Sequence, residues 1–150
     1  MYLLCMAEYH QGKFVPRNPS KYIGNVNDIC YRSGWERKFM IWCDTTPSVL
    51  SWGSEEVVIP YISPVDNRPH RYFVDFIIKY KTSTGEIKKA LVEIKPKAQT
   101  MLPKQRKRTQ RYLEEVKTYA VNQAKWKYAD EWAKDRGIEF RILTEKELGI

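Results

Sequence analysis

Arg71-Tyr72-Phe73-Val74-Asp75-Phe76-Ile77-Ile78-Lys79-Tyr80 is followed, across Thr82-Ser83-Thr84-Gly85, by Glu86-Ile87-Lys88-Lys89-Ala90-Leu91-Val92-Glu93-Ile94-Lys95, and Pro96 closes the run. Aromatic and β-branched residues fill both halves and a short polar, Gly-containing link joins them, which is the pattern of an antiparallel hairpin. Alternation puts Tyr72, Val74, Phe76 and Ile78 on one side of the first strand and Phe73, Asp75 and Ile77 on the other. In the second strand Ala90, Val92 and Ile94 share one face, and Leu91, Glu93 and Lys95 share the opposite one. A turn centred on Thr84 makes facing residue numbers sum to 168 (twice 84), so Asp75 is expected opposite Glu93.

Directly opposed positions carry Cβ atoms about 4.5–5.5 Å apart. Two carboxylates that close repel each other, the more so where Phe73 and Ile77 keep water away. Protonation of one acid, a basic side chain or a divalent cation relieves the cost. Lys95 is one positive partner, on the same face as Glu93. Mg²⁺, small and oxygen-seeking, commonly takes one or two carboxylates together with waters and phosphate oxygens, and suits the rest of the site, with Mn²⁺ as a possible substitute. These parts together suit metal-assisted phosphodiester hydrolysis. The E-x-K spacing is not specific, because it recurs at Glu36, Glu86 and Glu115. For Glu93 and Lys95 the competing reading is an exposed ion pair on a strand. For Asp75 it is a carboxylate that binds a neighbouring backbone.

Outward from the hairpin, Ser33-Gly34-Trp35-Glu36 has the form of a capping box, and Trp35, Phe39 and Trp42 follow at helical spacing. This predicts a helix over residues 34–43, ended by Asp44-Thr45-Thr46-Pro47. Short strands are expected at 49–52 and 56–61. Beyond the hairpin, residues 96–111 form a basic, Pro-interrupted bridge into helix, with Lys104, Arg106, Lys107, Arg108 and Arg111 within eight residues. Helical patterning runs through Tyr112, Val116 and Tyr119. A separate helix is expected from about Asn122, with Trp126, Ala129 and Ala133 on one side and Gly137 past its end. A last strand at 138–143 precedes a second capping-box pattern, Thr144-Glu145-Lys146-Glu147. The four tryptophans Trp35, Trp42, Trp126 and Trp132 read as core.

The order of elements predicts one mixed α/β (α+β) domain over residues 1–150, with a central antiparallel hairpin and with residues 1–30 as an irregular arm. The whole net charge of +8 falls in residues 76–150, which hold 18 basic and 10 acidic side chains against 8 and 8 in residues 1–75. Such a one-sided excess suits a polyanion, most simply nucleic acid. The basic run 104–111 is the expected phosphate-contacting segment, with Lys125 as a further candidate beside the scissile phosphate. No apolar run approaches the roughly 18 residues that span a bilayer, so no membrane partner is expected. Met1 to Ala7 is too short for a signal peptide. Three cysteines, Cys5, Cys30 and Cys43, without a CxxC pair argue against a secreted disulfide scaffold and for a reducing cytoplasm. His10 and His70 match no zinc spacing with them.

An acid on an early helix, then Asp, then Glu-x-Lys on paired strands resembles the PD-(D/E)xK nuclease superfamily. Tyr31-Arg32-Ser33-Gly34-Trp35-Glu36-Arg37-Lys38-Phe39, Tyr72-Phe73-Val74-Asp75-Phe76 and Leu91-Val92-Glu93-Ile94-Lys95-Pro96 are similar to the three motifs of its transposon-end endonuclease subgroup. At this length the chain, over roughly residues 20–147, also resembles the head-completion nucleases of bacteriophages. Val74 departs from the pattern, in which a proline usually precedes the Asp. The resemblance implies a restriction-endonuclease-like core, a central mixed sheet flanked by helices, Mg²⁺ dependence and DNA as substrate. It implies Asp75 and Glu93 as main metal ligands with the Ile94 carbonyl beside them, Lys95 as catalytic lysine, and Glu36 as the first-motif acid. For Glu36 a purely capping role competes. It further implies phage head or portal vertex proteins as partners, in the host cytoplasm or associated with the virion. The functional expectation is a DNA endonuclease acting during head completion. The alternative is a structural head-completion protein that binds DNA or the portal without turnover. A repair or junction-resolving nuclease would share the site but not the phage setting.

Overall fold

A computed structural model describes residues 11–149. Their elements are β1 (Gly12–Lys13), β2 (Cys30–Tyr31), α1 (Gly34–Thr45), β3 (Val49–Ser54), β4 (Val58–Ile62), β5 (Pro69–Phe73), β6 (Phe76–Lys81), β7 (Ile87–Ile94), α2 (Gln110–Asp135), β8 (Glu139–Leu143) and the single turn α3 (Glu145–Leu148). The readings placed on Met1 to Ala7, Cys5 and His10 lie outside the described residues.

The hairpin β6–β7 forms in the predicted register: Phe76 faces Val92, Ile77 faces Leu91 and Ile78 faces Ala90. Each pair sums to 168, as a turn centred on Thr84 requires. β3 joins the other edge of β6 antiparallel, and β8 joins β7 in parallel, so the central sheet is mixed with order β3-β6-β7-β8. The parallel β7–β8 pair is bridged by α2, the crossover such a pair needs. Each face of the sheet is buried. On one, Phe39, Met40 and Cys43 of α1 meet Trp52, Phe76, Ile78, Ala90, Val92 and Ile94. On the other, Trp126, Ala129 and Ala133 of α2 meet Leu91, Tyr72, Val74, Ile59 and Tyr61. This is the α/β core that the element order predicted, with the mixed central sheet that the resemblance implied.

The expected continuous strand from Arg71 to Tyr80 is broken. Ser54 faces Phe76, a sum of 130, whereas Val58 faces Phe73, a sum of 131. Three residues, Glu55 to Val57, therefore stand against two, Val74 and Asp75. The extra residue makes a β-bulge that bends both strands at once. Glu55 takes up the bend in the left-handed region at φ 55°, and its N–H still reaches the Asp75 carbonyl at 3.0 Å. The bend peels β4–β5 away as a separate two-stranded ribbon. It also inverts the faces: Tyr72 and Val74 go to the α2 side, Phe76 and Ile78 to the α1 side. The alternation read from sequence holds on each side of Asp75 but not across it.

Helix α1 begins as predicted, with Ser33 as N-cap and its Oγ accepting from the Glu36 N–H at 3.1 Å. The expected boundary near Asn122 does not exist, since α2 is one helix of 26 residues. Asn122 is 7% exposed and faces inward rather than opening a new turn. Gly137 stands just past the helix end at φ 67°, a conformation that favours glycine. Residues 11–30 are mostly irregular, yet Phe14, Tyr22 and Ile29 are buried in the α1-side core. Trp42 differs from expectation: it is 46% exposed, stacked on Phe39. Cys30 is disulfide-bonded, which the cysteine count did not foresee. Cys43 is free and buried, and burial pushes its thiol up. None of the described helices is long and apolar enough to cross a membrane.

Candidate active site

Three elements end together where the sheet bends. Asp75 sits in the bend between β5 and β6, outside the ladder, so its side chain turns across to β7. Its Oδ2 accepts the Ile94 N–H at 2.8 Å, while Oδ1 has no hydrogen-bond partner among the described residues. Glu93, next along β7, is 6% exposed. Tyr72 donates its hydroxyl to Glu93 Oε1 at 2.5 Å, and Lys95 Nζ stands 3.6 Å from Oε2. The Lys95 backbone is fixed in turn, its N–H bonded to the Leu143 carbonyl at 3.0 Å one step beyond the β7–β8 ladder. From α2, Lys125 reaches the same place, its ammonium 5.5 Å from the Tyr72 ring centre and 5.9 Å from that of Tyr61.

The electrostatics are those of crowded, poorly hydrated acids. Burial holds the Asp75 carboxyl well above the usual carboxylate range, and the charges of Glu93 and then Glu36 push it further. Some of the Asp75 residue surface still meets solvent, but protein packs round the carboxylate, which is the part that titrates. Burial also raises Glu93, opposed by the Tyr72 hydroxyl and by the Lys95 and Lys125 ammoniums. Loss of water around Lys125 lowers its ammonium, with Glu93 working the other way.

Glu36 has the capping job read from its sequence position. Its Oε1 accepts the Arg32 N–H at 3.2 Å, the second arm of the cap displaced by one residue from Ser33. Burial raises its carboxyl, and the charges of Glu55 and Glu93 add to the effect. Glu36, Ile94 and Lys95 line one cleft of about 440 Å³ with Trp35, Pro96 and Gln99. No group of three or more His, Cys, Asp or Glu among the described residues is disposed to hold a metal ion. The candidate ligand set is thus a pair of acids, Asp75 and Glu93, with Glu36 further out. Asp75 Oδ1 makes no hydrogen bond with the described residues and Glu93 Oε2 faces the Lys95 ammonium; both belong to mutually repelling buried carboxylates. That donor chemistry fits a hard, oxygen-seeking divalent cation.

Residues 46–145 match the family described as TnsA-like endonuclease N terminal. The chain belongs to that family. It is also 43% identical over 144 residues, covering 93% of each chain, to the head completion nuclease of Enterobacteria phage T4. No solved structure matches it. The family match spans Asp75, Glu93, Lys95 and Lys125, and begins after Glu36, which comes from α1.

Of the residues predicted from sequence, Asp75, Glu93, Ile94, Lys95, Glu36 and Lys125 are gathered here. Of the basic segment, Arg106 lines an adjoining cleft that shares Gln99 with the cleft of Glu36 and Lys95. Residues 102–109 form no helix or strand, and Arg111 is in the first turn of α2. Arg106 pairs with Glu115 and lies over the Tyr112 ring, and Arg111 reaches the other Glu115 oxygen at 3.7 Å. Lys104, Lys107 and Arg108 make no ion pair with the described residues. The sequence reading missed Tyr72, which alternation assigns to the face away from Asp75, and the Arg32–Glu55 ion pair beside Glu36. The adjacent acids Glu55 and Glu56, set against Asp75 between two apolar strands, were the available sign that the ladder is interrupted there.

Proposed function

We propose that the protein is a divalent-metal-dependent DNA endonuclease that cuts phosphodiester bonds during phage head completion, with Mg²⁺ as the cation and Mn²⁺ as an alternative. The observation that carries this reading is the meeting of two raised, mutually repelling carboxylates, Asp75 and Glu93, with two ammoniums, Lys95 and Lys125. A structural role gains nothing from placing them together. Membership of an endonuclease family and the name of the phage T4 relative support it.

Asp75 Oδ1 and Glu93 Oε2, with the Ile94 carbonyl, would hold the cation. When bound it supplies positive charge to the scissile phosphate and lowers the pKa of a bound water. The protein's own groups do the rest. The Ile94 N–H and Tyr72 hydroxyl aim the two carboxylates by occupying their other oxygens. Lys95, held by its backbone bond to Leu143, donates from Nζ to the attacking water or to a phosphate oxygen and offsets the charge growing on phosphorus. Lys125 supplies a second ammonium to the phosphate. Glu36 adds negative charge at the rim of the cleft, where a bound cation would feel it. Lys104, Lys107 and Arg108 hold the duplex without reading its sequence. The same reading places its partners at the phage head or portal vertex and its action in the host cytoplasm or on the virion, and the relative's name, head completion nuclease, supports the head.

Supercoiled DNA incubated with the wild type, Asp75→Asn and Lys95→Ala, with Mg²⁺ or chelator, tests the reading. Nicking by the wild type only, and only with metal, is expected. A wild type that nicks nothing with any divalent metal would favour the alternative, a head-completion protein that binds DNA or the portal without turnover.

A further inference from the structure

Tyr72 meets the site at two points, its hydroxyl and its ring. It is 3% exposed and enters from the β4–β5 ribbon, on the α2 side of the bend. Its hydroxyl proton lies on Glu93 Oε1, and its ring face carries the Lys125 ammonium. Trp126, the residue after Lys125, packs in the same buried cluster as Tyr72. A phenol that donates to an anion presents a more electron-rich ring to a cation.

We propose that Tyr72 is the positioning residue of this site: its hydroxyl fixes the rotamer of the metal ligand Glu93, and its ring seats Lys125 against the phosphate position. This rests on the metal-dependent reading above. A carboxylate of two equivalent oxygens on a free rotor can turn either one to a cation. Tyr72 removes that freedom by taking Oε1 and leaving Oε2 for the ion, the kind of support that ordinarily changes metal affinity by about 10–100-fold when removed. Because the ribbon joins the sheet only through the bulge, the same residue ties the ribbon's position to the geometry of the site.

The test separates hydroxyl from ring, using the full chain and Mn²⁺ as the probe. Tyr72→Phe keeps the ring and loses the hydroxyl. It is expected to bind Mn²⁺ about tenfold more weakly by titration calorimetry, with an unchanged melting temperature within a few degrees and unchanged affinity for a labelled duplex in chelator. Tyr72→Leu loses both, and is expected to lose duplex affinity in chelator as well. Lys125→Met should match its duplex defect without its Mn²⁺ defect. Wild-type Mn²⁺ affinity in Tyr72→Phe would overturn the hydroxyl's role, and duplex affinity undiminished in a folded Tyr72→Leu would overturn the ring's. Should Tyr72→Leu not fold, Tyr72→Phe and Lys125→Met decide the matter. A wild type that binds no Mn²⁺ overturns the metal reading itself, an outcome distinct from either of these.

Discussion

The β6–β7 hairpin and the β5–β6 bend are neighbours in one stretch of similar apolar sequence, and they spend it in opposite ways. Along the hairpin the β6–β7 pairs run unbroken from Phe76 facing Val92 to Lys81 facing Ile87, and the side chains of Phe76, Ile78, Leu91 and Val92 are packed dry. At the bend one extra residue interrupts the ladder, Glu55 adopts a strained backbone, and carboxylates that repel one another face the gap. The regular half holds the fold together. The irregular half keeps unfavourable charges in place because the regular half is stable enough to hold them. Function concentrated in strained, poorly satisfied geometry beside a well-satisfied scaffold is the usual division.

If that division is right, the largest single effect belongs to the bend and leaves the fold intact. Asp75→Asn should lower the nicking rate on the order of 10³-fold, about 4 kcal/mol in transition-state free energy, while far-ultraviolet circular dichroism stays that of the wild type. A loss of activity that tracks loss of structure would erase the distinction between the two regions. The converse change lies in the hairpin. Leu91 is fully buried between the sheet and α2, and Leu91→Ala should cost about 3 kcal/mol of stability by denaturant unfolding. Residual activity of its folded fraction should stay near that of the wild type.

The hairpin was legible in the sequence because nothing in it conflicts. Alternation, turn residues and β-branched content all point the same way, and the Thr84-centred register came out to the residue. Helix α1 was legible for the same reason, since Ser33 caps it as the pattern says. The bend was not legible, because alternation carries no information about an inserted residue on the partner strand. The consequences were specific. Asp75 was expected opposite Glu93 as a ladder neighbour, but it reaches β7 from outside the ladder, through the Ile94 N–H. Tyr72 was assigned to the wrong face and so left out of the site. In α2 the failure is of another kind: the sequence predicts a separate helix from about Asn122, although one helix runs through and buries Asn122 against the core. Helical spacing alone predicts Trp42 as core, yet it is 46% exposed and stacked on Phe39.

A subtler difference between the two regions should appear in pH dependence. Asp75, Glu93 and Glu36 all titrate above the ordinary carboxylate value when the protein is folded and metal-free. Between about pH 4, where unfolded carboxylates titrate, and those raised values, the folded state binds more protons than the unfolded. Stability of the chelated protein contributed by these groups is therefore present at the acid end and lost as pH rises through the window. Asp66, Glu139 and Glu147, held low by hydrogen bonds, act in the opposite sense, so a single curve mixes the two. The difference between variants does not. In chelator Asp75→Asn should melt higher than the wild type, by a margin that widens from pH 4 upward and closes again when Mn²⁺ is added to the wild type. Lower melting of Asp75→Asn across the window would mean that the bend is not under electrostatic load.

The smallest effect concerns the basic segment, where the structure sharpens the sequence reading. Five cations engaging phosphates would contribute a slope of about −4.5 to log affinity against log salt. Arg106 and Arg111 already share Glu115, which leaves Lys104, Lys107 and Arg108 and a contribution of about −2.7. Binding of a duplex by catalytically dead Asp75→Asn, followed by anisotropy at several salt concentrations, measures this directly. Replacing Lys104, Lys107 and Arg108 by Ala should flatten the slope by about 2.7. Glu115→Gln should free the two arginines and steepen it by about 1.8. No steepening would show that Arg106 and Arg111 face away from the DNA. The Glu115 cluster would then serve to anchor the start of α2, where Arg111 in the first turn meets an unfavourable helix dipole, and the duplex would be gripped by the irregular stretch before the helix alone.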